Sequence, residues 1–348
     1  MPGGIPLPVP RFLFLLFPVI FCFAASAREA DTSDVKHFVP LPIPSAITRD
    51  MLQHKSGPHD TSLAFLVPSK TYISKRKNIV LGTTAVSYVG LMSGLYELWY
   101  SDYPLHEFHF FNDNPEWFQM DKVGHAINTF QGSEWMLYVF KWTGMEHRKA
   151  VWYGGLIGFA YPLSIEILDG FSPGWGFSSG DVIANTTGSA MLIAQELCWE
   201  QQKVRLKFSY HNSPYASYRP SMLGSSLWEK LLKDYNGQTY WLSANIASFT
   251  GSTSRFPKWL NIAVGYGAEG LIGGRDNLIR ENGKVTLDYS SVPRYRQYYI
   301  SLDIDLSRIK SKSYFLNTVL RSVGFIKIPA PALEIGRKGN LIFHPLYF

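Results

Sequence analysis

Two cysteines, Cys22 and Cys198, are all that 348 residues contain, so a disulfide framework is excluded as the source of stability. Charge is sparse as well: 17% of the residues are charged and 46% are hydrophobic. That balance excludes a disordered chain and supplies ample material for a core. A basic stripe with interleaved aromatics is missing too. The net charge of +6 is spread along the chain, which excludes nucleic acid as a partner and leaves an anionic membrane or envelope lipid surface as the partner it favours. The small residue that a lipid-attachment signal wants before its cysteine is also lacking, because Phe21 precedes Cys22.

The first 27 residues read as a signal peptide. Arg11 precedes the apolar run Phe12 to Ala25, and Ala25-Ser26-Ala27 fits the small-x-small cleavage rule. Export follows, to the periplasm or an outer-membrane-associated envelope, and removal would leave Cys198 without an intramolecular partner. Residues 28–76 read as a linker, with Pro40, Pro42, Pro44, Pro58 and Pro68 and no sustained periodicity. Lys75-Arg76-Lys77 then opens a run from Asn78 to Tyr100 whose one charge is Glu97. Its length suits either a bilayer span or a core helix, and Gly90-x-x-x-Gly94 suits close helix approach. We expect an exported protein whose apolar helices bury one another. The aromatic stretch 99–118 suits a membrane interface or a packed loop, and within it His106 and His109 would share a face only if helical.

Polar residues become informative where they interrupt apolar segments. Three clusters do so: Asp121-Lys122-x-x-His125, Glu166-x-x-Asp169, and Ser178-x-x-Asp181-x-x-x-Asn185. Burying such groups costs free energy unless they face one another, water or a ligand. Asp121 is expected to cap a helix running to about Trp142, with His125 and Asn128 on its polar stripe. A second helix covers 149–168, kinked by Pro162 one turn before Glu166. Ser178 and Asp181 resemble a capping box opening a helix over about 179–201. His125, Glu166, Asp169, Asp181 and Asn185 should then meet where three helices cross.

After Arg205 the period changes from helix to strand. Apolar residues alternate with small or polar ones over 259–270 and again over 298–306. Residues 240–249 and 341–348 add further strands, with Pro345 confining the last to an edge. Five to seven strands are expected, and 313–326 is open between helix and strand. The alternation and the Phe348 terminus also fit an outer-membrane barrel, although a soluble or membrane-apposed sheet suits so few strands better. The fold class is α+β: 77–205 as a bundle of about four apolar helices, then an antiparallel β region over 206–348.

The spacing DK-x-x-H, E-x-x-D and G-W-G-x-S-x-x-D-x-x-x-N-x-x-G is carried here by Asp121, Lys122, His125, Glu166, Asp169, Gly174, Trp175, Gly176, Ser178, Asp181, Asn185 and Gly188. It resembles the YfiM-like family of uncharacterised predicted periplasmic lipoproteins, and it is similar to the motifs of VanZ-like membrane proteins. The resemblance implies an envelope location and supplies no activity. Two functions therefore stand side by side. One is a structural or binding component of the envelope, with other envelope proteins as partners and Asp121, Lys122, Ser178 and Asn185 in a network. The other is a membrane-proximal hydrolase or transferase acting on a lipid or cell-wall precursor. In that reading His125 is the acid or base, and Glu166, Asp169 and Asp181 tune it or hold a divalent metal with it.

Overall fold

The apolar run bearing Glu97 folds as helix α1 (Ser74–Leu95), continued by a π-helical turn at Tyr96–Tyr100. The computed structural model describes residues 65–100, 105–250, 255–281, 284–336 and 339–348. The expected signal peptide and most of the expected linker lie outside the described residues. Helices α2 (Met120–Trp142), α3 (His147–Gly170) and α4 (Ser179–Trp199) follow. Helix α2 is their axis: Ile127, Phe130, Leu137 and Phe140 are almost wholly buried, packed by α3 and α4 on either side. The contacts are close because glycines face α2. Gly154 and Gly158 abut Leu137 and Ser133, and Gly188 abuts the carbonyl of Ala126, where a β-carbon would overlap it. Pro162, expected as a kink, lies inside α3 without ending it.

Helix α1 packs differently. Among the described residues two helices, α1 and α3, are long and apolar enough to cross a membrane, but only 11% of the most apolar window of α1 is buried against 44% for α3. The expectation that these helices bury one another therefore fails for α1, whose Val86 and Val89 are 74% and 62% exposed.

A six-stranded antiparallel sheet forms the other half, in the order β1 (Val204–Tyr210), β2 (Gln238–Asn245), β3 (Leu260–Glu269), β6 (Tyr295–Ile304), β7 (Ala330–Ile335) and β8 (Leu341–Tyr347). A separate hairpin pairs β4 (Leu278–Glu281) with β5 (Lys284–Asp288). Pro345 sits in the edge strand β8, where its missing donor is tolerated. The sheet curls strongly. Phe208 of β1 bonds Phe325 and Lys327, in the run leading into β7, at 2.8 Å each, so the far side of the sheet returns to its first strand.

Among the described residues eight α-helices occur, which corrects the expected count of about four. The additional ones are short: α5 (Pro220–Leu223), α6 (Leu227–Lys233), α7 (Ile246–Phe249) and α8 (Tyr314–Ser322). Ser226, Asn245 and Ser313 cap three of them. One or two turns show too little periodicity to stand out from strands and turns.

Two contacts seat the sheet on the helices. Ile127, Met120 and Trp117 share an apolar cluster with Phe208, Tyr235 and Tyr240. One step along, Arg205 of β1 grips Glu134 of α2 through two hydrogen bonds, at 2.8 and 2.6 Å, with both groups buried. Asp305 lies 3.4 Å from the guanidinium on its other side. Removing one member of such a pair strands a buried charge, whereas replacing both with apolar residues of similar volume relieves it. Urea unfolding should thus show Glu134→Ala to cost about 3–5 kcal/mol, with Glu134→Leu/Arg205→Met recovering most of that loss. Equal losses in the two variants would remove the assigned role.

Candidate functional site

The first turn of α2 is delivered by a strained turn. Trp117, Phe118 and Gln119 are consecutive non-glycine residues with φ of 49°, 51° and 63°, a conformation costing on the order of 1–3 kcal/mol per residue. The β half holds them there. The Trp117 amide donates to the carbonyl of Gly274 at 2.7 Å, the Tyr266 hydroxyl donates to the carbonyl of Phe118, and Arg296 donates to Gln119 at 2.7 Å while covering the Phe118 ring. This entry starts α2 at Met120 with Gln119 in the cap position. Asp121, expected as the cap, is instead a first-turn residue whose carboxylate accepts from the Tyr235 hydroxyl at 2.6 Å and from Lys122 at 3.2 Å.

Lys122 is the cation at the middle. Its Nζ lies 2.7 Å from Asp113, 2.7 Å from Asp181 and 3.2 Å from Asp121. Burial alone would lower its pKa, but the three carboxylates outweigh that and hold it raised. Gly180 lets the lysine pass, since a β-carbon there would press on Asn114 and on the Lys122 stem. Ser178 does what its spacing predicts: its Oγ accepts from the Asp181 amide at 3.1 Å, and its hydroxyl donates to Asp113 at 2.7 Å.

His125 stands one turn further along α2. Its Nε2 is 3.5 Å from Asp181 and 3.8 Å from Asp121; its Nδ1 is 3.3 Å from the Asn185 side-chain oxygen and 3.9 Å from Glu166. The same Asn185 oxygen accepts from Thr129 at 2.8 Å. Glu166, Asp181 and Asn185 are all buried, so α3 and α4 place polar side chains against an imidazole carried by α2. Burial pushes the Asp181 carboxyl up to about 6, against the opposing pull of His125 and Lys122. Asp169, one turn beyond Glu166, accepts from the Tyr100 hydroxyl.

Asp121, His125 and Asp181 offer three donor atoms within 4.8 Å of one another, the spacing of a metal site. The Lys122 ammonium already bonds both of those carboxylates, so a divalent cation would have to displace it. His106 and His109 lie in an extended loop rather than a helix, and their rings point at the backbone carbonyls of Glu107 and Trp175. That removes the helical premise of the metal pair expected there.

Several participants escaped the sequence reading. Asp113 and Tyr235 lie 8 and 114 positions from Asp121 by residue number, and no local pattern connects them to it. Glu134 is different: it is a buried acid in the inner part of a helix, the same signal that marks Glu166.

Residues 109–195, roughly a quarter of the chain, match the model of a family described as predicted periplasmic lipoprotein (DUF2279). The matched stretch contains Asp113 and all eight polar residues singled out from the sequence. No curated protein and no solved structure is matched.

The raised Asp181 pKa has a definite sign. A carboxyl that ionises at about 6 when folded and at about 3.9 when unfolded holds its proton longer in the native state. The stability this contributes is full below about pH 4 and is lost as pH rises through 6. Relative to wild type, Asp181→Asn should therefore gain on the order of 2–3 kcal/mol between pH 4 and pH 7. Urea titrations at the two pH values measure this; a difference that ignores pH would contradict the assignment.

Proposed function

We propose that the chain is an exported cell-envelope component, facing the periplasm, whose polar centre serves a structural or binding role. The observation that supports this reading most is internal pairing. Lys122 is surrounded by Asp113, Asp121 and Asp181, and both nitrogens of His125 face oxygen atoms from neighbouring helices. A network of this kind fixes helix register, because sliding one helix by a turn would strand several buried charges at once. The description of the family matched over 109–195 supports the periplasmic location.

A second reading rests on the donor triad Asp121, His125 and Asp181. It makes the centre a divalent-cation site, or the acid–base site of a membrane-proximal hydrolase or transferase acting on an envelope lipid or cell-wall precursor. His125 would then move the proton and Asp121 would orient it.

Thermal unfolding separates the readings. On the structural reading, His125→Ala and Glu166→Gln should each lower Tm by about 3–5 °C, the equivalent of about 2–3 kcal/mol for a chain of this size. Unchanged or higher Tm values, together with an altered envelope-lipid profile in cells carrying the variants, would favour catalysis. A rise in Tm on adding Zn²⁺ or Mn²⁺ that disappears in Asp181→Asn would favour the metal site.

A further inference from the structure

The curled sheet leaves large apolar side chains outside, while its inner face combines a buried cluster of Trp241, Tyr299 and Tyr347 with charged and polar groups. On its outer face a cross-strand row runs Leu242–Val264–Ile300–Leu333–Phe343, each residue directly opposite the next. These side chains are 38–65% exposed, and the neighbouring rows add Ile262 with Leu302 and Tyr298 with Ile335. The inner face carries Ser243, Asn261 and Ser301, all buried, and a Lys207–Asp303 ion pair at 2.7 Å with both side chains at 0% exposure. A one-sided sheet in water places its apolar face inward. Here an aliphatic face is left outside while an ion pair and several polar side chains are buried inside, as in strands whose outer neighbour is hydrocarbon.

We propose that this convex outer face is seated in the acyl-chain layer of an envelope membrane. The inference is independent of the role assigned to His125. The two ends of the apolar band carry the residues that suit a lipid interface. At one end Trp259 is exposed beside Lys258, and Lys203 stacks on Trp199 and Phe249 at 4.7 and 5.3 Å. At the other, Tyr266 pairs with Tyr298, and Arg296 bonds the Tyr266 hydroxyl at 3.1 Å. Amphipathic rings with basic groups mark headgroup level, and the cations complement anionic lipid.

Helix α8 lies on the chain between β6 and β7, flanked by exposed Lys310 and Lys312. It carries exposed Phe315, Leu316 and Val319 along one amphipathic surface, the composition of a segment lying in the interface. From Trp259 to Tyr266 the strand extends about 24 Å, more than one leaflet of a hydrocarbon core about 30 Å thick, so with both ends at one headgroup level it lies along the membrane plane.

Curvature favours lipid over a second copy of the chain. Two convex faces touch along a line, whereas fluid acyl chains conform to a bulge. Depth is limited by β8, the open edge of the sheet, because bare backbone groups do not enter hydrocarbon. The seat is thus about one leaflet deep, with that edge toward the headgroups.

The test places an environment-sensitive fluorophore at Val264→Cys or Leu302→Cys in the full chain with Cys22 and Cys198 changed to serine; Lys284→Cys on the β4–β5 hairpin is the control. Circular dichroism verifies folding. With vesicles of phosphatidylethanolamine and phosphatidylglycerol, emission from 264 and 302 should shift to the blue and be largely lost when the acyl chains carry nitroxides, while the control does neither. Water-like emission at 264 and 302 in the presence of vesicles overturns the proposal, including the case in which the chain floats with vesicles through another segment. A blue shift without nitroxide quenching, accompanied by a doubled mass in sedimentation, overturns it in favour of a second copy.

Discussion

The arrangement depends on the cost of burying charge in α2. Glu134 of α2 has 0% exposure, with Gln131 and Tyr138 of the same helix within hydrogen-bond reach of its carboxylate. A lone ionised carboxylate there would be prohibitive, and the Arg205 guanidinium answers it from the first strand of the sheet. The helical half is therefore incomplete without β1, whose Arg205 lies between Glu134 and Asp305. Around this pair the apolar contacts fall into register. Ile127 and Met120 meet Phe208 and Tyr240 on one side, while Leu137 and Phe140 meet α3 and α4 on the other. The nitrogen of Trp135 reaches the carbonyl of Ser322 at the end of α8, so α2 is the wall shared by everything else.

The polar centre uses the same logic about two and a half turns earlier on α2, with an added strain. Three left-handed residues immediately before Met120 would not hold their conformation alone. They persist because the loop at Gly274 and strands β3 and β6 tie down their amide, carbonyl and side chains. The position of Asp121, Lys122 and His125 relative to Glu166 and Asp181 is thus set partly by the sheet. A disturbance of the sheet, by lipid or by a partner, has a covalent route of a few residues to the imidazole.

Much of this was legible from residue patterns, and the omissions have physical reasons. The three long helices over 120–199 announce themselves by apolar periodicity and by Ser178, whose cap is present as its spacing predicts. The strands β3 and β6 follow their alternation closely. Polar groups in apolar surroundings identify positions, and His125, Glu166, Asp181 and Asn185 do lie together. What the patterns cannot carry is pairing at long range. Tyr235 reaches Asp121 across the helix–sheet junction, and Asp113 arrives from a loop without regular structure. The reading of Asp121 as a cap failed because the strained turn puts the cap at Gln119, two residues earlier. Arg205, Lys207 and Ser209 alternate with Leu206, Phe208 and Tyr210 in β1, a signal as clear as the one in β3 and indicative of a polar interior.

That interior is the less expected part of the molecule. Lys207 and Asp303 are fully buried, and the Ser243 hydroxyl donates to Asp303 at 2.6 Å, itself accepting from Asn261 at 2.8 Å. Such a network is no better for stability than a well-packed apolar core, and is usually worse. A sequence free to exchange its two faces would place Leu242, Val264 and Ile300 inside and the serines and asparagine outside, gaining roughly 1.5–3 kcal/mol for each large side chain removed from water. The observed order makes thermodynamic sense where the outside is not water. Against hydrocarbon the exposed row incurs no hydration cost, and the polar groups must turn inward, because only there do they find partners. The polarity of the sheet and its surroundings are thus one constraint seen from two sides.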